Sequence, residues 1–141
     1  AQREGGKILC GGGSPKLESP FDKGAFLEPT VISDLDYLSR TATEEIFGPV
    51  VTIHSFGTDE EAIKMANCTD YGLAGSVWTE DSERGTKVAE KIEAGMVWVN
   101  TWLHRDLRVP FGGVKDSGVG REGGRWSLDF FSEAVNICVK S

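Results

Sequence analysis

The chain has 141 residues, the size of one ordinary domain, and carries a net charge of −7 with a sequence pI of about 4.8. This acidic balance argues against nucleic acid or an anionic membrane as the main partner, and no apolar run approaches the ~20 residues of a membrane span. Three widely spaced cysteines do not make a disulfide framework, so we expect a reducing compartment, either the cytoplasm or an organelle matrix.

The first residues read as the end of a longer structure. The chain starts at Ala1, and AQREGG resembles the last turn of a helix that closes on Gly5 and Gly6. We therefore expect the sequence to be a piece of a longer protein.

Short strands and turns are predicted for the first fifty residues. We predict a strand, a loop, a second strand and a polar segment with at most one helical turn, at 7–10, 14–25, 26–32 and 34–43. Pro29 would place the second strand at an edge or a bend. Thr41 and Glu44 have the spacing of a capping box at the start of a short helix.

The middle of the chain alternates strands with helices. Apolar and β-branched runs predict three strands, at 50–56, 73–79 and 96–100. Thr58 and Glu61 form a capping box that begins one helix. Asp81 or Ser82 begins a second helix, which Gly95 would close. This β-α-β-α-β order predicts an α/β fold with a parallel sheet and right-handed helical crossovers.

A glycine-rich loop follows, and within it residues 118–123 spell G-x-G-x-x-G. A dinucleotide-binding fingerprint needs a strand before it and a complete crossover after it, with an acidic residue about 20 positions on. Residues 112–117 have loop chemistry, and only 18 residues follow Gly123. We therefore interpret these glycines as turn and packing residues. The remaining segments predict a short helix and a half-buried final strand, at 126–131 and 134–140.

The cysteines and histidines do not suggest a reactive centre. Cys10, Cys68 and Cys138 have no neighbouring base or helix N-terminus in the sequence, so we interpret them as small buried apolar residues. His54 and His104 are isolated and no CxxC occurs, so no metal site is expected.

An acidic residue beside an aromatic ring marks a first candidate ligand site. Capping explains Glu44 but leaves Glu45 free, two residues before Phe47 and a rigid Gly-Pro turn. Such a carboxylate could bind sugar hydroxyls with the ring alongside. The alternative is a capped helix end without a ligand.

A basic loop marks a second candidate site. Residues 100–125 hold five lysines and arginines against three acidic residues, a net charge of +2 in an acidic chain. This favours a small anionic ligand, and the alternative is a solvated loop with surface ion pairs.

Four motifs in register resemble the carboxyl-terminal third of the aldehyde dehydrogenase superfamily. They are EEIFGPV, YGLAGSVWT, GMVWVN and PFGGVKDSGVGRE, at 44–50, 71–79, 95–100 and 110–122. The loop NTWLHRDLRVPFGG is similar to that of the 2-hydroxymuconic and 2-aminomuconic semialdehyde dehydrogenases. The resemblance covers essentially the whole chain.

The resemblance implies a domain plan. Residues 1–132 would form the carboxyl-terminal part of the catalytic domain, and residues 133–141 an oligomerisation strand that builds homodimers or homotetramers. The remainder of the parent chain would then be a partner of this one. Cut from its parent, the unpaired strand edge would lead the piece to dimerise or aggregate.

The resemblance also implies a cofactor site for NAD or NADP, between which the sequence does not decide. Glu45 would accept hydrogen bonds from the nicotinamide ribose, and Phe47 would pack near the nicotinamide ring. The phosphates would bind elsewhere in the parent.

Substrate residues are implied in the basic loop, which lines the substrate tunnel in this family. Arg105 would bind the carboxylate of a semialdehyde, Phe111 would flank the aldehyde path, and Trp102 would help to wall the pocket. Arg108 is the weaker candidate, since Asp106 and solvent could satisfy it. The alternative for Arg105 is an ion pair at a subunit contact.

The resemblance places the reacting groups outside this chain. The family forms a thiohemiacetal on a cysteine, passes hydride to the nicotinamide and hydrolyses the resulting thioester. Its nucleophilic Cys, its general-base Glu and its oxyanion-hole Asn would all precede Ala1, so the isolated chain is expected to be inactive. The alternative is a non-catalytic, stand-alone oligomerisation module derived from the same fold.

Overall fold

The computed structural model describes residues 1–140, and the chain divides into two units, Ala1–Thr69 and Asp70–Ser141. No helix in the described part of the chain is both long and apolar enough to cross a membrane.

The first unit is built on a three-stranded mixed sheet. Its strands are β1, β2 and β3, at Lys7–Cys10, Thr30–Ser33 and Val50–Thr52. β1 pairs antiparallel with β2, and β2 pairs parallel with β3, with Thr30 opposite Val50. Two helices, α1 and α2, lie at Arg40–Thr43 and Asp59–Ala66, and single 3₁₀ turns lie at Gln2–Glu4 and Phe21–Lys23. The buried centre consists of Thr30, Ile32 and Leu35.

The second unit contains a parallel pair of strands joined by a helix. Its elements are β4, β5, α3, β6, β7 and α4, at Tyr71–Gly72, Ala74–Val77, Ser82–Ala89, Met96–Val99, Val114–Lys115 and Gly124–Phe131. β5 and β6 pair in parallel from Ala74–Met96 to Val77–Val99, and β4 pairs antiparallel with β7. Gly85 of α3 is buried where an added Cβ would lie 2.7 Å from Cγ1 of Val99, so helix and strand approach closely.

The structure confirms the α/β class and the predicted starts of α2 and α3. The side chain of Thr58 accepts a hydrogen bond from the backbone N–H of Glu61 at 3.2 Å, and Asp81 caps α3 by accepting from the N–H of Arg84 at 3.0 Å. The carboxylate of Glu61 accepts instead from the N–H of Gly57, at 2.7 Å. The short helix predicted at 126–131 is present as α4, which begins two residues earlier.

The predicted capping box at Thr41 and Glu44 was wrong. Ser39 occupies the N-cap of α1, and Glu44 lies at its carboxyl end, where the carboxylate is 2.6 Å from Nε of Arg40. An i,i+4 ion pair along the helix therefore replaces the predicted cap.

Gly95 was predicted to close α3, and this prediction was wrong. The helix ends at Ala89, and Gly95 lies just before β6, where its N–H donates to the carbonyl of Gly72 at 2.9 Å. A Cβ on Gly95 would overlap the carbonyl oxygen of Gly112 and lie 3.1 Å from Cα of Gly113. The absence of a side chain here serves a close approach between two backbone segments.

Several strands are shorter than predicted because their hydrogen-bonded pairing covers fewer residues. β2 begins at Thr30 rather than at residue 26, directly after Pro29, which has no N–H to donate to a ladder. β3 contains only Val50–Thr52 and pairs with β2, whereas β5 pairs with β6. The parallel arrangement is thus present in two separate sheets rather than in one continuous ladder.

Residues 133–140 are exposed and form no strand within the described chain. Their alternating apolar side chains, Val135, Ile137 and Val139, are 78–86% exposed. Ser141, the last residue of the predicted oligomerisation strand, lies outside the described residues. A strand requires a pairing partner, so the assignment of 133–141 to an oligomerisation strand stays a prediction.

Gly95→Ala should destabilise the protein that carries this chain. The added methyl would collide with backbone rather than with a movable side chain, and overpacking of this kind costs about 1–3 kcal/mol. A lowered midpoint of thermal unfolding is the expected result. Gly75→Ala is the matched control, because its Cβ would lie 3.5 Å from Cγ2 of Ile92, an ordinary contact. Equal midpoints for the two variants would contradict the close approach at Gly95.

Candidate functional site

Two tryptophans hold the start of the loop that follows β6. Trp98, at 9% exposure the buried aromatic of β6, donates from its indole Nε1 to the carbonyl of His104 at 2.8 Å. Trp102 packs against it edge to face, with ring centroids 5.0 Å apart, and keeps 57% of its surface exposed. One face of Trp102 is therefore anchored while the other remains available to form a wall.

Arg105 lies over the ring of Phe111, with its guanidinium carbon 4.2 Å from the ring centroid. The structure thus brings together two of the three predicted substrate residues as a cation–π pair. Nη2 of Arg105 also lies 3.3 Å from Oε1 of Glu122, a single contact. The acidic partner is therefore in the same chain, and a guanidinium with five N–H donors keeps donors for an anion.

Arg108 is bound by its neighbour, as was expected of the weaker candidate. Its Nε lies 2.9 Å and 3.1 Å from the two carboxylate oxygens of Asp106, and its Nη2 lies 2.5 Å from Oδ2. The side-chain hydrogen bond from Arg108 lowers the pKa of Asp106, and the same bond raises the pKa of Arg108. This pairing uses the bidentate edge that would otherwise face a carboxylate ligand.

The glycine-rich segment folds back on itself. Phe111 and Glu122 exchange two backbone hydrogen bonds, each 2.8 Å long, across an antiparallel bridge. Inside this closure Nη1 of Arg121 donates to the carbonyls of Gly113 and Gly120, at 2.7 Å and 2.6 Å. Beside it lies a cavity of about 350 Å³. Its apolar lining comes from Leu73, Phe111, Val119, Phe130 and Phe131.

Glu45 and Phe47, the predicted cofactor residues, lie on the surface of the first unit. Glu45 is exposed and lines a cavity of about 690 Å³ together with Arg40, Thr41 and Glu44. Phe47 is 93% exposed, and its φ of 55° lies in the left-handed region that bulky residues seldom adopt. A carboxylate and an uncovered ring on a strained turn have the chemistry to accept hydroxyl donors beside a flat ligand.

Two polar pairs, Thr41 with Glu4 and Arg40 with Glu44, lie in the lining of the cavity that contains Glu45. The hydroxyl of Thr41 donates to the carboxylate of Glu4, and this hydrogen bond lowers the pKa of Glu4. The hydrogen bond with Glu44 raises the pKa of Arg40. The ion-pair partner of Arg40 in this cavity lining is thus Glu44, and Glu45 is exposed beside them.

The cysteines differ from their interpretation as buried residues. Cys10 and Cys138 are exposed, because the strand end at Cys10 and the segment at Cys138 have no covering layer in the chain. Only Cys68 is partly buried, and its Sγ donates to the carbonyl of Tyr37 at 3.5 Å. Residues 1–140 contain no cluster of three or more His, Cys, Asp or Glu side chains able to hold a metal ion.

Comparison with known proteins decides the family. The aldehyde dehydrogenase family model matches residues 1–137. This chain belongs to the aldehyde dehydrogenase family. It is 50% identical over 137 residues to a 2-hydroxymuconic semialdehyde dehydrogenase of Pseudomonas putida, covering 97% of this chain and 28% of that protein. It is also 50% identical over 142 residues to a 2-aminomuconic semialdehyde dehydrogenase of Mus musculus, covering 99% of this chain and 29% of that protein.

Solved structures of the family share the fold. An aldehyde dehydrogenase of Mycobacterium tuberculosis, solved with NAD⁺, is 45% identical and superposes with a TM-score of 0.86 over 94% of this chain and 26% of that one. A betaine aldehyde dehydrogenase of Staphylococcus aureus, also with NAD⁺, is 44% identical with a TM-score of 0.87 over 93% and 26%. The chain therefore spans a little over a quarter of the length of these dehydrogenases.

Sequence reasoning missed Glu122 as a member of the site of this aldehyde dehydrogenase chain. From the sequence, Glu122 was interpreted only as one of the acidic residues of the basic loop, because 17 positions separate it from Arg105, the residue that it contacts. The available signal was the alternation of charge at Arg121 and Glu122 within an otherwise glycine-rich run. Pairing across a loop of this length is not readable from local spacing.

Arg108→Ala should raise the pKa of Asp106 towards its ordinary range. Because the folded pKa is lowered, the contribution of this pair is present above the unfolded pKa and is lost as the pH falls through the folded pKa. An NMR titration of the Asp106 carboxyl carbon measures the change. Arg125→Ala is the control, because Arg125 faces Asp129 instead. An unchanged Asp106 titration in Arg108→Ala would refute the assignment.

Proposed function

We propose that this chain is the carboxyl-terminal part of a cytoplasmic NAD(P)-dependent aldehyde dehydrogenase that oxidises a carboxylate-bearing semialdehyde to a dicarboxylic acid. The observation that carries the substrate class is the Arg105 guanidinium held on the Phe111 ring with only one contact to a carboxylate. Relatives named for muconic semialdehydes, at about half identity, support the same class.

Arg105 serves as the anion-binding group in this proposal. Its side chain is 42% exposed, so a ligand can reach it, and its guanidinium carbon lies 4.2 Å from the centroid of the Phe111 ring. The N–H groups point outward in the plane of the guanidinium, and the single contact with Glu122 leaves an edge for two parallel hydrogen bonds to a carboxylate. Phe111 then lines the approach of the apolar part of the substrate, and Trp102 supplies a second aromatic wall.

Glu45 and Phe47 serve as cofactor residues. Their chemistry fits a nicotinamide riboside, because a carboxylate accepts from ribose hydroxyls and an uncovered ring packs against a flat heterocycle. When bound, the nicotinamide accepts a hydride from the substrate. The contribution of Glu45 is to orient the ribose, and that of Phe47 is to exclude water from one side of the ring.

The nucleophile and the general base belong to the remainder of the parent chain in this proposal. Large apolar side chains such as Phe131 and Ile137 are 79–81% exposed here, which supports further packing against that remainder. Residues 133–141 would add a strand between subunits of a homodimer or homotetramer.

Arg105→Ala in the full-length enzyme should selectively impair oxidation of the acidic substrate. Loss of a charge-assisted pair of about 1.5–3 kcal/mol corresponds to a ten- to hundredfold fall in kcat/KM. Steady-state kinetics with 2-hydroxymuconic semialdehyde and with hexanal, a neutral aldehyde of similar size, measure the selectivity.

Arg108→Ala is the matched control for that experiment. It removes an arginine three positions along the same loop whose guanidinium is already bound to Asp106, so both substrates should be oxidised at nearly wild-type rates. Equal losses for the two substrates in Arg105→Ala would reject the anion-binding role.

Glu45→Gln in the full-length enzyme should slow hydride transfer or weaken cofactor binding by about one to two decades, because the amide accepts weaker hydrogen bonds than the carboxylate. Stopped-flow reduction of NAD⁺ and cofactor titration separate the two effects. Glu44→Gln is the comparison variant. The Glu44 carboxylate is already paired with Arg40, so this substitution should leave hydride transfer and cofactor binding nearly unchanged. Wild-type cofactor KM and kcat in Glu45→Gln would remove Glu45 from the site.

A further inference from the structure

Glu122 shares one rigid backbone frame with the ring on which Arg105 rests. Phe111 and Glu122 stand directly opposite one another and exchange both N–H···O bonds at 2.8 Å. Side chains of directly opposed residues in an antiparallel pair project from the same face. The ring and the carboxylate therefore reach Arg105 together, from one side of this two-residue bridge.

The two contacts restrain different movements of Arg105. The ring of Phe111, whose centroid lies 4.2 Å from the guanidinium carbon, limits the movement of that carbon but allows the guanidinium to rotate. The contact between Nη2 of Arg105 and Oε1 of Glu122, at 3.3 Å, restricts this rotation. Nη2 carries two hydrogens, one on each of the two bidentate edges of a guanidinium, so a single contact leaves one complete edge for a ligand.

We infer that Glu122 is a positioning residue for substrate selection, which holds Arg105 so that its free edge faces the carboxylate of the semialdehyde. The inference rests on the proposed function. Without Glu122 the long arginine side chain would have to lose its rotamer freedom at each binding event. Repulsion between Glu122 and the substrate carboxylate opposes this gain, but the Glu122 side chain is 60% exposed, so the surrounding water weakens that repulsion.

Three variants of the full-length enzyme separate positioning from charge. Glu122→Ala removes both the contact and the charge, Glu122→Asp keeps the charge but shortens the reach, and Glu122→Gln keeps the acceptor oxygen without the charge. Positioning predicts that Ala and Asp raise the KM for 2-hydroxymuconic semialdehyde about two- to fivefold, the range of an exposed ion pair, with kcat nearly unchanged. Gln should stay close to wild type, and KM for hexanal should not move.

The effect should also depend on Arg105. In an Arg105→Ala background, Glu122→Ala should produce no further change in the ratio of the KM values for the two aldehydes. Glu80→Ala is the matched control, because it removes another exposed glutamate from the second unit without touching the loop, and it should behave as wild type.

The opposing outcomes are distinct. A lower KM for the acidic aldehyde in both Ala and Gln variants would show that Glu122 only competes with the substrate, and would overturn the inference. Equal losses for both aldehydes, or a selective loss that persists without Arg105, would overturn it as well. If Glu122→Ala does not fold, the Asp and Gln variants decide between the same outcomes. If Arg105→Ala loses activity selectively with the acidic aldehyde while all three Glu122 variants have wild-type KM values, this inference alone is overturned. If Arg105→Ala loses activity equally with both aldehydes, the proposed function is rejected.

Discussion

The candidate substrate site depends on one antiparallel bridge between Phe111 and Glu122. Its two hydrogen bonds close the glycine-rich loop and set the ring and the carboxylate on one face of the backbone. Arg105 comes from the preceding stretch of the same loop and is held by both side chains. Arg108, three residues on, meets no part of this bridge and pairs with Asp106 instead. The different availability of two nearby arginines thus follows from a backbone interaction rather than from their own sequence neighbourhood.

Close backbone contacts explain why the loop is rich in glycine. A Cβ at Gly123 would collide with the carbonyl of Val109, and a Cβ at Gly95 would collide with that of Gly112. Gly123 also has a φ of 98°, which a side chain would strain. These contacts bring the ends of the loop near the strand β6, from which Trp98 in turn holds the carbonyl of His104. The G-x-G-x-x-G pattern is therefore a consequence of loop packing, as its poor context for a dinucleotide fingerprint predicted.

Features that depend on neighbouring residues were predictable from the sequence, and features that depend on distant ones were not. The N-caps at Thr58 and Asp81 involve partners three residues away. The cap at Thr58 was predicted correctly, and the start of α3 was predicted as Asp81 or Ser82. Gly95 fits the spacing of a helix end, yet its role is set by Gly112, so the local interpretation failed. The prediction for β2 was too long because its first residue depends on which N–H groups find partners in β1 and β3. β2 is the central strand of its sheet, so the edge position predicted from Pro29 was wrong. In the candidate site, Arg105 and Phe111 were predicted from the family resemblance, while the contact of Arg105 with Glu122 required the fold.

The exposed apolar residues have a related physical meaning. Periodic patterns in a sequence reflect burial in the complete protein, so alternation predicts a strand at 134–140 even though no residue in the described part of the chain pairs with it. The chain covers 28–29% of its muconic semialdehyde dehydrogenase relatives, and its apolar side chains Val135, Ile137 and Val139 remain 78–86% exposed. Phe47 combines such exposure with a left-handed backbone, a conformation that has to be stabilised by its surroundings. The Arg105, Phe111 and Glu122 group differs in this respect, because its defining contacts are completed within the chain. A free edge on the Arg105 guanidinium can therefore be preformed in this segment, whereas in our proposal the nucleophile and the general base belong to the remainder of the parent chain.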